Sequence, residues 1–120
     1  MLAARTVRRT ELTRIAIADV LGELDLEGVE KALTDVMAAM LQTGLDLAWR
    51  AVCDDSDARL TDVTIIGMGR FGGRELGYSS DADVMYVHRP RDGADVTFSQ
   101  RATVTCLSMP AALASTPQPK

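Results

Sequence analysis

The apolar positions in the first half of the chain recur at helical spacing. After Thr10 the residues Leu12, Ile15, Ala16 and Val20 share one face, and Thr10 is placed to cap that helix at its start. Gly22 supplies a stop. Asp25 then caps a second, longer helix whose apolar stripe runs through Val29, Leu33, Val36, Met37, Met40, Leu41, Ala48 and Val52. Gly44 weakens that helix by about 1 kcal/mol relative to alanine, which marks the place for a bend or break. Met37, Met40 and Trp49 read as packing between helices, and Glu23, Asp25, Glu27, Glu30 and Lys31 as a solvated turn and helix start.

Past the polar run Asp54-Asp55-Ser56-Asp57 the periodicity changes. That run reads as a solvated loop, because consecutive carboxylates without a scaffold do not converge on a cation. Val63-Thr64-Ile65-Ile66 is β-branched and ends in Gly67, the signature of a buried strand. Val84-Met85-Tyr86-Val87 forms a second strand stopped by Pro90, with Tyr86 packed and His88 at the solvent end. From Val96 onward there is no Asp or Glu, and the chain closes on Pro117-Gln118-Pro119-Lys120, a low-complexity texture. The organisation expected is a helical segment over 1–60, a mixed α+β core over 61–95 and an irregular tail over 96–120.

Composition narrows the functional classes. At 47% hydrophobic and 25% charged the chain is ordinary for a globular protein, and with aromatics at 4% its core is built from Leu, Ile, Val, Ala and Met. A net charge of −4 argues against gripping a nucleic-acid backbone, yet leaves room for one nucleotide with its magnesium. Cys53 and Cys106 follow no metal-ligand spacing and read as reduced thiols, and a single histidine excludes a multi-histidine metal site. No stretch reads as a signal peptide or a membrane span, so a cytoplasmic protein is expected.

The chemistry lies between the two strands. Gly67-x-Gly69-x-x-Gly72 spells a dinucleotide-binding fingerprint, but that motif needs a crossover helix within a unit of roughly 30 residues. The second strand starts only a dozen positions after Gly72, with Gly77, Tyr78, Ser79 and Ser80 in the interval, so a full helix does not fit. The competing reading needs a glycine-rich turn and two carboxylates on the next strand. Asp81 and Asp83 are two apart, and alternate residues of a strand project from one face. Two such carboxylates repel unless a cation holds them, and oxygen ligands of this kind suit magnesium. Gly72-Gly73 allows backbone N–H groups to approach phosphate oxygens, Arg70 and Arg74 can neutralise a triphosphate, and Ser79 and Ser80 can bond phosphate or close the turn.

The run from Ile66 through Gly67-Met68-Gly69-Arg70-Phe71-Gly72-Gly73-Arg74-Glu75-Leu76-Gly77-Tyr78-Ser79-Ser80-Asp81-Ala82-Asp83 to Met85 closely resembles the signature of the glutamine synthetase adenylyltransferase/adenylyl-removing family, within the DNA polymerase β-type nucleotidyltransferases. The wording around it resembles actinobacterial members, and Gly77-Tyr78 resembles the adenylylating half. The resemblance covers roughly the first 95 residues and fades afterwards. It implies helices followed by the first strands of a mixed nucleotidyltransferase sheet, incomplete at the C-terminus. It further implies magnesium on Asp81 and Asp83, ATP as substrate, a tyrosine of glutamine synthetase as acceptor, and a PII-type signalling partner of the parent enzyme. The superfamily completes its metal site with a third carboxylate on a later strand, and no acidic residue follows Asp95 here, so the chain is expected to be catalytically incomplete alone. A small-molecule nucleotidyltransferase, a Rossmann-type dinucleotide-binding module and a non-catalytic helical regulatory piece are the alternatives.

Overall fold

A computed structural model describes residues 2–52 and 61–93. The elements run α1 (Leu2–Val20), α2 (Leu26–Val52), β1 (Thr61–Gly67), α3 (Gly69–Gly73) and β2 (Val84–Pro90). This is an α+β arrangement of helices followed by a two-stranded antiparallel sheet. Cys53, the Asp54–Asp57 run, Asp95, Cys106 and the 96–120 tail lie outside the described residues.

Helix α1 begins well before Thr10, which is a correction to the cap expected there. The hydroxyl of Thr10 instead donates to the carbonyl of Thr6 at 3.1 Å, the back-bonding a threonine adopts when the helix continues through it. The end of α1 is a Schellman motif: Gly22 N–H donates to Asp19 O at 3.0 Å and Glu23 N–H to Ala18 O at 2.9 Å, with Gly22 at φ 72°. Asp25 caps α2 as expected, its Oδ1 accepting from Gly28 N–H at 2.8 Å. The helix passes through Gly44 without interruption, and that glycine is buried. Packing along the stripe outweighs the roughly 1 kcal/mol that glycine costs a helix.

Contacts divide the described residues into two compact units, one within 2–40 and 66–85 and the other within 41–52, 61–65 and 86–93. In the first, Ile15 of α1 and Val29, Leu33, Met37 and Met40 of α2 are buried, together with Leu76 from the loop that follows α3. Each such side chain contributes about 1.5–3 kcal/mol on burial. In the second, Leu45, Ala48 and Trp49 form a cluster against which Val63 and Ile65 of β1 pack.

The period of two in β1 is plain. Thr61 is fully buried and Val63 and Ile65 are half-buried, whereas Thr64 and Ile66 face outward. The strand is therefore one-sided rather than buried on both faces as its β-branched run suggests. In β2, Tyr86 is half-buried and burial raises its pKa, while His88 is exposed.

Asp62 ties the far end of the hairpin. Its Oδ1 accepts from Arg91 Nε at 2.9 Å and Nη2 at 2.7 Å, and its Oδ2 from Arg89 Nη2 at 3.4 Å. These bonds, Arg91 first, hold the Asp62 carboxyl below the usual carboxylate range. A depressed folded-state pKa contributes stability that is present above the unfolded value and lost as pH falls through the folded one. Asp62→Asn is thus expected to lower the denaturation midpoint at neutral pH, with the difference from wild type closing below about pH 4. Urea unfolding at a series of pH values checks this; a difference that persists undiminished in acid contradicts it.

Candidate functional site

Strand β1 delivers the chain into a tight turn at Gly67-Met68, and α3 then folds back over the strand end. Gly72 is glycine for a steric reason: a Cβ there would lie 2.5 Å from the Gly67 carbonyl oxygen. Its N–H donates to Met68 O at 2.9 Å, so this amide serves the turn rather than standing open to a phosphate. Gly69 sits at φ 51°, a conformation L side chains rarely adopt. The glycine spacing that mimics a dinucleotide fingerprint therefore builds a compact strand–turn–helix. The five residues of α3 leave no crossover helix, and the paired strands are antiparallel, which overturns the Rossmann-type reading.

Gly73 differs from Gly72. It has no positive φ, and a Cβ would meet only the Glu75 side chain at an ordinary 3.5 Å. Nothing within the described residues requires glycine there, and the residue is exposed.

Asp81 and Asp83 lie just before β2, not within it. The hairpin ladder nevertheless continues one bond beyond the strand, with Met68 N–H donating to Asp83 O at 2.8 Å. Exposure alternates through Asp81, Ala82, Asp83, Val84 and Met85, the aspartates exposed and Ala82 half-buried, as extended backbone dictates. The carboxylate of Asp83 rests against Gly69, where a Cβ would stand 3.3 Å from its Oδ2. The turn and the second aspartate are thus adjacent.

The remaining candidates separate by their partners. Arg70 is exposed, at the start of α3. Arg74 caps α3 in the left-handed region at φ 63°, and its guanidinium pairs with Asp35 of α2. Ser79 is exposed, while Ser80 closes a turn: its Oγ accepts from Gly77 N–H at 3.0 Å, and its N–H donates to Gly77 O at 3.1 Å. Tyr78 donates its hydroxyl proton to Asp19 of α1 at 3.0 Å. Loss of hydration and the Asp19 carboxylate both raise the Tyr78 pKa. Asp19 and Asp35 carry no signal in the sequence, since they lie 59 and 39 residues from the side chains they hold.

Among the described residues no group of three or more His, Cys, Asp or Glu side chains could hold a metal ion. Two exposed carboxylates beside a turn still suit magnesium, which takes one or two protein carboxylates and completes its shell with water and substrate phosphate.

The profile of the glutamate-ammonia ligase adenylyltransferase family matches residues 1–115. The chain belongs to that family. It is 50% identical over 115 residues to the bifunctional glutamine synthetase adenylyltransferase/adenylyl-removing enzyme of Mycolicibacterium smegmatis, covering 96% of this chain and 11% of that protein. It is 46% identical to the protein of the same name from Mycobacterium tuberculosis strain CDC 1551 / Oshkosh, covering 95% of this chain and 12% of that one. With the Mycobacterium leprae counterpart the identity is 52% over 93 residues, 78% of this chain and 9% of the other. The chain therefore spans about a tenth of the length of these relatives. The family match also runs to residue 115, beyond the position near 95 where the resemblance of the signature fades. No solved structure matches the chain. No helix among the described residues is long and apolar enough to cross a membrane.

Proposed function

We propose that the chain supplies the metal- and phosphate-binding part of an adenylyltransferase site, transferring AMP from ATP to a tyrosine of glutamine synthetase. The observation that carries this is the placement of Asp83 against Gly69 at the mouth of the β1–α3 turn, with Asp81, also exposed, two residues before it. Magnesium held there would offset charge on the phosphates and on the leaving pyrophosphate.

The chain's own residues have separable roles in this reading. Asp81 and Asp83 present carboxylate oxygens to the cation. Gly73 lets a phosphate approach the backbone without a Cβ in the way, and Gly72 shapes the turn beneath it. Arg70 and Arg74 meet phosphate charge, and Ser79 and Ser80 offer hydroxyl donors. The tyrosine oxygen bonds to the α-phosphorus as the bond to pyrophosphate breaks, and the phenolic proton leaves to solvent. Positioning and electrostatics dominate such a transfer. The Gly77-Tyr78 pairing favours the adenylylating direction, and the same contacts would serve phosphorolytic removal. A cytoplasmic setting, a PII-type partner of the longer enzyme and the absence of nucleic-acid or membrane partners belong to the same proposal.

Gly73→Ala isolates the phosphate role. The fold is expected to keep its denaturation midpoint, because the new Cβ makes only ordinary contacts and alanine favours a helix. Affinity for MgATP should fall roughly tenfold, the cost of one lost or displaced charge-assisted amide contact. Unchanged affinity contradicts the role given to Gly73. The function itself is tested by AMP transfer to glutamine synthetase with magnesium present and absent, in the chain alone and joined to a relative's following segment. Asp81→Asn or Asp83→Asn should abolish transfer; near-normal turnover in either would refute the assignment.

A further inference from the structure

The loop between α3 and β2 is held at three points, each of them against α1 or α2. Leu76, 2% exposed, is the loop's one buried apolar side chain among the described residues. It shares a small open crevice with Leu12 of α1 and Leu33 and Met37 of α2. Two positions to one side, the Arg74 guanidinium reaches Asp35 of α2; two positions to the other, the Tyr78 hydroxyl reaches Asp19 of α1. Arg74 sits in a backbone conformation uncommon for a non-glycine residue, so the contacts around it must hold it there.

We propose that Asp35 and Asp19 are positioning residues for the nucleotide site, clamping the loop from Arg74 to Tyr78 astride Leu76 so that Arg74 is presented to phosphate and Asp81 follows at a fixed distance. This rests on the nucleotide reading above. Only one guanidinium nitrogen of Arg74 reaches Asp35, and the two side chains remain 52% and 57% exposed. A guanidinium carries five N–H donors in a rigid fork, so one face can be held by Asp35 while the other meets a phosphate. The helical hairpin thereby gains a role beyond bulk packing: one carboxylate from each helix fixes one flank of the same loop.

The test follows the Arg74 side-chain Nε–H and the Tyr78 ring by NMR in the 120-residue chain, first without ligand and then with MgATP titrated in. Asp35→Ala should release the Arg74 signal to its free-chain position, and Asp19→Ala should do the same for Tyr78, with the unfolding midpoint little changed. Asp35→Ala should weaken MgATP about three- to fivefold, the size of an exposed ion pair. Asp35→Glu should recover most of that loss, and in an Arg74→Ala background the loss should vanish. An Arg74 signal indifferent to Asp35→Ala, or an equal loss of affinity with and without Arg74, overturns the proposal. Side chains released as expected in a chain whose wild type binds no MgATP would overturn the nucleotide reading instead, and with it the purpose of the clamp.

Discussion

Replacing Gly72 by alanine is expected to dismantle the turn that joins β1 to α3. The added carbon would stand 2.5 Å from the Gly67 carbonyl oxygen and 3.0 Å from its carbon, and both are backbone atoms. No rotamer change relieves such a contact; either α3 lifts from the strand end or the strand end moves. Overpacking of this kind costs about 1–3 kcal/mol. Because Gly69 and Asp83 meet at the same turn, the distortion also separates the glycine from the second aspartate. Thermal denaturation should show a midpoint lowered by about 5–15 °C, and the amide signals of residues 67–73 should shift together. A variant with the wild-type midpoint and unchanged signals would mean that the turn is looser than its geometry indicates.

The second large effect is expected at Leu76. Truncation to alanine removes most of a side chain that is almost wholly buried, in a loop with no other buried apolar anchor among the described residues. Leucine-to-alanine changes in cores cost about 2–5 kcal/mol, against a total stability of about 5–15 kcal/mol for a domain. Leu76→Met, which keeps the volume, should cost less than about 1.5 kcal/mol. Urea unfolding of the two variants side by side separates packing from hydrophobicity. Equal, small losses for both would show that Leu76 does not hold the loop.

Much of the fold was legible because it follows from local chemistry. The α2 stripe from Val29 to Ala48, the Asp25 cap and the glycine stop at position 22 each depend on neighbours within one or two helical turns. Leu45 is buried beside the expected stripe but is not part of it, and the helix runs on through Gly44, the place marked for a bend or break. Thr10 misled for a related reason: a threonine hydroxyl satisfies a helix start and a helix interior by different bonds, and only the residues before it decide between them. The β1 run looked buried on both faces, yet a two-stranded hairpin leaves one face open at Thr64 and Ile66.

At the candidate site the fold sets Asp83 against the glycine turn, while the reason for Gly72 differs from the one the sequence suggests. Gly72 suggested a phosphate approach, but its carbon is pressed against a carbonyl and its amide is bonded within the turn. Asp81 and Asp83 keep the alternation expected of a strand although β2 begins one residue later. Asp19 and Asp35 were invisible because their partners arrive only after the chain has folded back on itself.

In the proposed site Asp81 and Asp83 bind a divalent cation together with a nucleotide. Manganese, a paramagnetic stand-in for magnesium, reports this directly through selective broadening of amide signals in the presence of ATP. Broadening is expected to centre on Gly69, Gly73 and residues 81–83, and to disappear when both aspartates become asparagine. Broadening centred on the Asp54–Asp57 run, or a pattern that survives the double substitution, would contradict it.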